Sequence, residues 1–127
     1  MRRKILIIED DADTAEMLEY LVGLLKYEAA VANYIVPVNE ILTINPDLIL
    51  LDHKLNNGSG GVLCQKIKND QYTKEIPVIM VSARHDLRGV AKNCGADDHI
   101  AKPFSIWEME KRIENLLENK KLAKRPA

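Results

Sequence analysis

The chain has 127 residues, the size of one ordinary domain. A composition of 46% hydrophobic and 29% charged residues excludes a disordered polymer. Eighteen Lys and Arg stand against nineteen Asp and Glu, a net charge of −1 that argues against nucleic-acid binding over the whole surface. The charge is unevenly placed. Lys120, Lys121, Lys124 and Arg125 put four bases and no acid into the last nine residues. Without them, residues 1–118 carry fourteen bases against nineteen acids, a net of −5.

The chain opens on ILII at 5–8, an apolar run that stops at Glu9. That is far short of a signal-peptide core or a membrane-spanning helix, so the expected compartment is the cytoplasm, with no membrane contact. LILL at 48–51 and VIMV at 78–81 are also unbroken, as suits strands covered on both faces. After the first strand, Leu18, Leu21, Val22 and Leu25 form a helical stripe, with Asp13 and Glu16 at capping-box spacing. A weaker strand follows at 29–32. A second helix is expected over about 35–44, where Pro37 fits only the first turn. Beyond the third strand, a Gly-rich loop at 56–61 leads to a helix marked by Leu63, Cys64 and Ile67. A fourth helix is expected over 87–93, ending at Gly95, then a short strand at 99–101. Ile106, Met109, Ile113, Leu116 and Leu117 stripe the last helix. Trp107 lies outside that stripe and is expected to pack on the neighbouring helix, the other reading being a partner anchor. The tail past about Glu118 reads as an unstructured end. Cys64 and Cys94 lack disulfide-scaffold or metal spacing and read as small buried hydrophobes. Five β-α repeats imply an open, doubly wound α/β sheet.

Ligands of such sheets sit outside the carboxyl ends of the strands. The first run ends in Glu9-Asp10-Asp11, the third in Asp52, the fourth in Ser82-Ala83 and the fifth in Lys102-Pro103. Crowded carboxylates repel, and a cation relieves them. Oxygen donors without a His or Cys cluster favour Mg²⁺ or Mn²⁺. A carboxylate beside such an ion can attack phosphorus, while Lys102 and the Ser82 hydroxyl meet the phosphoryl oxygens. Asp52 is the best nucleophile, because it ends the fully apolar middle strand.

These strings resemble the receiver domain of two-component response regulators over about residues 3–118. The resemblance rests on KILIIEDD, PDLILLD through Asp52, Gly60 eight residues on, PVIMVSA through Ala83, and GADDHIAKPF. It implies a five-stranded parallel sheet in the order 2-1-3-4-5, flanked by five helices. It also implies Asp52 as phosphoacceptor, and Mg²⁺ (or Mn²⁺) held by Asp10, Asp52 and the backbone carbonyl of Lys54, with Glu9 acting through water. Ser82 would be the switch hydroxyl, Lys102 the phosphoryl contact, and Lys102–Pro103 a cis bond. Ala83 would be the small residue that leaves the acceptor open.

The departures are specific. His99 stands where the family usually has Tyr or Phe, so an imidazole would take the aromatic switch position. Asn56 stands where a proline is common, and a mobile loop is expected there. The stretch between Ala83 and Gly95 is about two residues short. Lys54 and Arg84 occupy loop positions that tune phosphoryl lifetime in the family.

The expected function is a signalling switch rather than an enzyme turning over a metabolite. A sensor histidine kinase or phosphotransfer protein would load Asp52, and a downstream protein or output domain would read the result. A dimer through the fourth-helix, fifth-strand and fifth-helix face is the expected self-contact, and no direct nucleic-acid binding is expected. The rival binding module is a degenerate receiver acting without phosphorylation. The rival enzyme is a haloacid-dehalogenase-like phosphatase, which places its nucleophile after the first strand in an Asp-x-Asp motif, whereas here that strand ends in the Glu9-Asp10 pair and Asp52 is followed by His53-Lys54. Residues 1–118 are taken as the domain and 119–127 as a basic tail or linker start.

Overall fold

A computed structural model describes residues 2–55, 58–83 and 94–123. Five parallel strands form the sheet: β1 (Lys4–Ile8), β2 (Glu28–Ala32), β3 (Leu48–Asp52), β4 (Val78–Ala83) and β5 (Asp98–Lys102). Their order is β2-β1-β3-β4-β5. The helices among the described residues are α1 (Ala12–Leu24), α2 (Val38–Ile44), α3 (Gly60–Asn69) and a C-terminal helix (Ile106–Ala123). The fourth helix expected over 87–93 lies outside the described residues, as do Asn56 and Arg84.

The unbroken apolar runs have a physical reason. Along β1, Ile5 and Ile7 join one core with Leu50, Val81, Leu18, Val22, Met109 and Ile113. Their neighbours Leu6 and Ile8 join a second core with Ile49, Leu51, Met80, Ile41, Leu63 and Ile67. Each strand residue therefore meets a helix layer, whichever way the pleat turns it. α1 and the C-terminal helix cover one face, and α2 and α3 the other. That doubly wound arrangement leaves the carboxyl ends of the strands as the open edge.

Five local expectations are corrected. α1 is capped by Asp11, whose carboxylate accepts from the Thr14 amide at 2.9 Å and hydroxyl at 2.5 Å, so Asp13 is not the cap. The Thr14 donors also hold the Asp11 carboxyl below its usual range. α2 begins at Val38 with Pro37 as its N-cap, because Pro37 is extended at ψ 151°. The loop at 56–61 is shorter than expected. Lys54–Leu55 pairs antiparallel with Gly58–Ser59, and Gly60 and Gly61 already belong to α3 behind the Ser59 cap. The C-terminal helix runs on to Ala123, past the expected start of an unstructured tail at Glu118. Trp107 is 75% exposed, so its ring does not pack into the neighbouring helix layer. Cys94 is helical and Gly95 follows it at φ 78°, the left-handed conformation expected of a glycine cap.

Candidate functional site

The register sets the site. β1 and β3 pair through Ile8 and Leu51, so Glu9 and Asp52 leave adjacent central strands side by side. Asp52 is level with Val81, one residue before Ser82, and Ala83 is level with Lys102 at the end of β5. Residues separated by up to 93 positions thus gather at one edge.

Glu9, Asp10 and Asp52 each offer a carboxylate oxygen within 4.8 Å of the others. Glu9 is 1% exposed and Asp52 8%, while Asp10 is half-buried. Lys102 reaches over them, its Nζ donating to Glu9 Oε1 at 3.2 Å and to Asp52 Oδ1 at 3.4 Å. Burial tends to lower the Lys102 pKa, but the charges of Asp52 and Glu9 outweigh it and raise the value. Burial is also the main reason that Glu9 is pushed up to about 7, helped by the hydrogen-bonded Asp52 carboxyl and opposed by Lys102.

The remaining residues fall around this cluster. Ser82 is buried, and its hydroxyl donates to the Ala83 carbonyl at 3.4 Å, a long bond that is readily exchanged. Lys54 lies two residues past Asp52 in the short ribbon, where its backbone pairs with Ser59. The Lys102–Pro103 bond is cis. His99 is exposed on β5, three residues before Lys102, and its backbone lies level with Met80.

The raised Glu9 value gives a signed prediction. The folded, metal-free protein holds a proton on Glu9 between its ordinary 4.5 and about 7, where an unfolded chain has released it. This contribution is complete below pH 4.5 and is lost as pH rises through 7. Melting in chelator is expected to fall by about 8 °C between pH 5 and pH 8 from this group alone. Glu9→Gln should flatten that slope, and an equally steep profile in the variant would assign the proton elsewhere.

A doubly wound parallel sheet with a buried carboxylate cluster and a lysine at its carboxyl edge has an acidic site where such sheets bind their ligands. The model of the response regulator receiver domain matches residues 5–114, and the chain belongs to that family, one of signalling domains. It is 38% identical over 122 residues to the phosphate regulon transcriptional regulatory protein PhoB of Escherichia coli K12, covering 92% of this chain and 52% of that protein. The chain thus spans about half the length of the curated relatives it matches. Among solved structures, a response regulator receiver domain protein from Clostridium thermocellum superposes with a TM-score of 0.84 at 26% identity, covering 95% of this chain and 98% of that one. The receiver domain of the Pseudomonas aeruginosa PAO1 sensor histidine kinase PA1611 shares the fold with a TM-score of 0.82 at 24% identity. It covers 93% of this chain and 99% of that one, and was solved with magnesium coordinated in its active site cleft. No helix among the described residues is long and apolar enough to cross a membrane.

Sequence reasoning missed one contributor to the site's geometry. Gly60 was visible only as part of a pattern, whereas the structure brings its backbone directly against Asp52. A Cβ on Gly60 would lie 1.9 Å from the Asp52 carbonyl oxygen. Spacing alone gives no sign of so close an approach.

Proposed function

We propose that this domain is a phosphorylation-dependent switch of a two-component phosphorelay, loaded on Asp52 by a sensor histidine kinase or phosphotransfer protein. The observation that carries this reading is the bridge from Lys102 to both Glu9 and Asp52 beside Asp10. An Asp52 oxygen would attack the donor's phosphorus. The new O–P bond forms an acyl phosphate while the bond to the donor breaks, and the electron pair leaves with the donor. Lys102 would turn from Asp52 to a phosphoryl oxygen. The Ser82 hydroxyl would exchange its long bond to Ala83 for another.

The donor set is all oxygen and closely spaced, which fits a hard divalent ion. Asp10, Asp52 and the Lys54 backbone carbonyl would hold Mg²⁺ or Mn²⁺ directly, with Glu9 acting through water. When bound, the ion would supply charge neutralisation for the approach of an anionic phosphoryl group. The domain promotes its own loading and unloading and turns over no metabolite. The new charge then biases two conformations of the protein, and a partner reads the favoured one.

His99 takes the position of the usual aromatic switch residue. The exposed Trp107 supports a dimer or partner contact on the face of β5 and the C-terminal helix. Residues 1–118 form the switching unit, with 119–127 as the start of a basic tail or linker. The relative in E. coli, a transcriptional regulatory protein about twice as long, fits an output partner beyond the receiver. The cytoplasm is the compartment in which such a relay works, and this domain itself makes no nucleic-acid contact.

Incubation with acetyl phosphate and Mg²⁺ should give a phosphate-affinity gel shift that EDTA abolishes. Beryllofluoride should tighten Mg²⁺ binding. A domain that shows neither response is a binding module, and the proposal fails.

A further inference from the structure

Cys64 and Cys94 stand thirty positions apart in sequence, are the only cysteines in the chain, and are both buried in the core behind α3. Their thiols are hydrogen-bonded to each other. The same two segments are held together twice more. One turn after Cys64, Lys68 forms an ion pair with Asp97, three residues after Cys94, with Nζ 2.5 Å from Oδ2. A Cβ built on Gly95 would rest on the Lys68 stem at 3.7 Å. Asp97 is in turn fixed to β4, accepting from the Val78 amide at 2.8 Å while its own amide donates to the Val78 carbonyl at 3.0 Å. Cys64–Cys94 and Lys68–Asp97 are therefore successive rungs between α3 and the segment that enters β5.

We propose that Cys64 and Cys94 are a modification site, a dithiol that a low-molecular-weight disulfide oxidises to an intramolecular disulfide cross-linking α3 to the segment entering β5. One thiolate attacks the external disulfide and releases one small thiol. The second thiolate then attacks the mixed disulfide and releases the other. Two S–H bonds break, one S–S bond forms, and the two electrons and two protons leave on the two small thiols. The Lys68–Asp97 ion pair already holds the two segments against each other beside the paired thiols. Burial and the neighbouring Cys94 push the Cys64 thiol up, so the exchange is slow while the fold is closed. In a reducing compartment such a disulfide would be transient rather than a permanent staple. The link joins the helix that follows the Asp52 turn to the strand that carries Lys102.

The test is to incubate the folded protein with oxidised glutathione at pH 8 and then count thiols after denaturation. Titratable thiols should fall from two to none, the mass should fall by two hydrogens, and the protein should remain monomeric on a non-reducing gel. A tryptic peptide pair joined through Cys64 and Cys94 should be recovered. Closing a ring of about 30 residues should raise the melting temperature by about 10 °C, reversed by dithiothreitol. Cys94→Ala and Cys64→Ala should each show no two-hydrogen loss. Two surviving thiols in the wild type, or their loss as glutathione adducts or intermolecular dimers, would overturn the proposal.

Discussion

Asp52→Asn is expected to reduce Mg²⁺-dependent labelling by acetyl phosphate by more than about a hundredfold, with folding and melting temperature close to wild type. Three carboxylates share the edge, and only Asp52 combines the requirements of an acceptor. Glu9 is 1% exposed and is pushed up to about 7, so it is too enclosed and too often protonated to attack a phosphodonor at neutral pH. Asp10 is more open and lies past Glu9 in the loop after β1, whereas Lys102 donates to Glu9 and Asp52. Asp52 ends the central strand, faces the lysine and retains 8% exposure. Asparagine keeps the shape and one carbonyl oxygen but loses the charge that makes the nucleophile. Asp52→Ala should give the same loss of labelling, and it excludes slow deamidation of the Asn variant as a source of residual signal. Labelling that persists in both variants would place the acceptor on another carboxylate, and the assignment of Asp52 would be wrong. Anion-dependent steps that bypass the covalent bond are separated by a chase, since an acyl phosphate on Asp52 is labile to hydroxylamine and a bound phosphate is not.

Much of this arrangement is legible in the sequence because burial on two faces leaves a strong mark. LILL at 48–51 has no polar position, since residues from it enter both cores. Once three such runs and the intervening stripes are read as a doubly wound sheet, the residues closing each strand must share an edge. The identities of Glu9, Asp10, Asp52, Ser82 and Lys102 follow from that rule. Helix starts were less legible. Asp11 and Asp13 both sit at capping distance from a hydrogen-bonding residue, and the choice fell to Asp11 because Thr14 supplies both an amide and a hydroxyl. Pro37 suits either the cap or the first helical position, as its fixed φ is compatible with both. The helix beyond Glu118 was hidden because its last residues, Asn-Lys-Lys-Leu-Ala, carry no apolar stripe. Contacts such as Cys64 with Cys94 depend on how two distant segments are superposed across the sheet, and no local pattern encodes them.

Gly60→Ala should destabilise the protein by about 3 kcal/mol, lowering the melting temperature by about 10 °C. Alanine is ordinarily the better helix residue, favoured over glycine by about 1 kcal/mol inside a helix. Gly60 opens α3 and its backbone does not require positive φ, so propensity alone predicts a gain. Close approach reverses the sign. The added Cβ would lie 1.9 Å from the Asp52 carbonyl oxygen, 2.9 Å from its carbon and 3.1 Å from His53 Cα. All three are backbone atoms, so no side chain can rotate away, and the turn between β3 and α3 must open. That turn is closed by the Gly60 amide donating to the His53 carbonyl at 2.8 Å. Opening it displaces Asp52 relative to Lys102, so labelling by acetyl phosphate should slow even at temperatures where the variant remains folded. Gly23→Ala is the control, because nothing lies within 4 Å of a Cβ there and α1 should gain about 1 kcal/mol. If Gly60→Ala melts at or above the wild type while Gly23→Ala is stabilised as expected, the close approach of α3 to the acceptor's backbone is not what holds Asp52 in place.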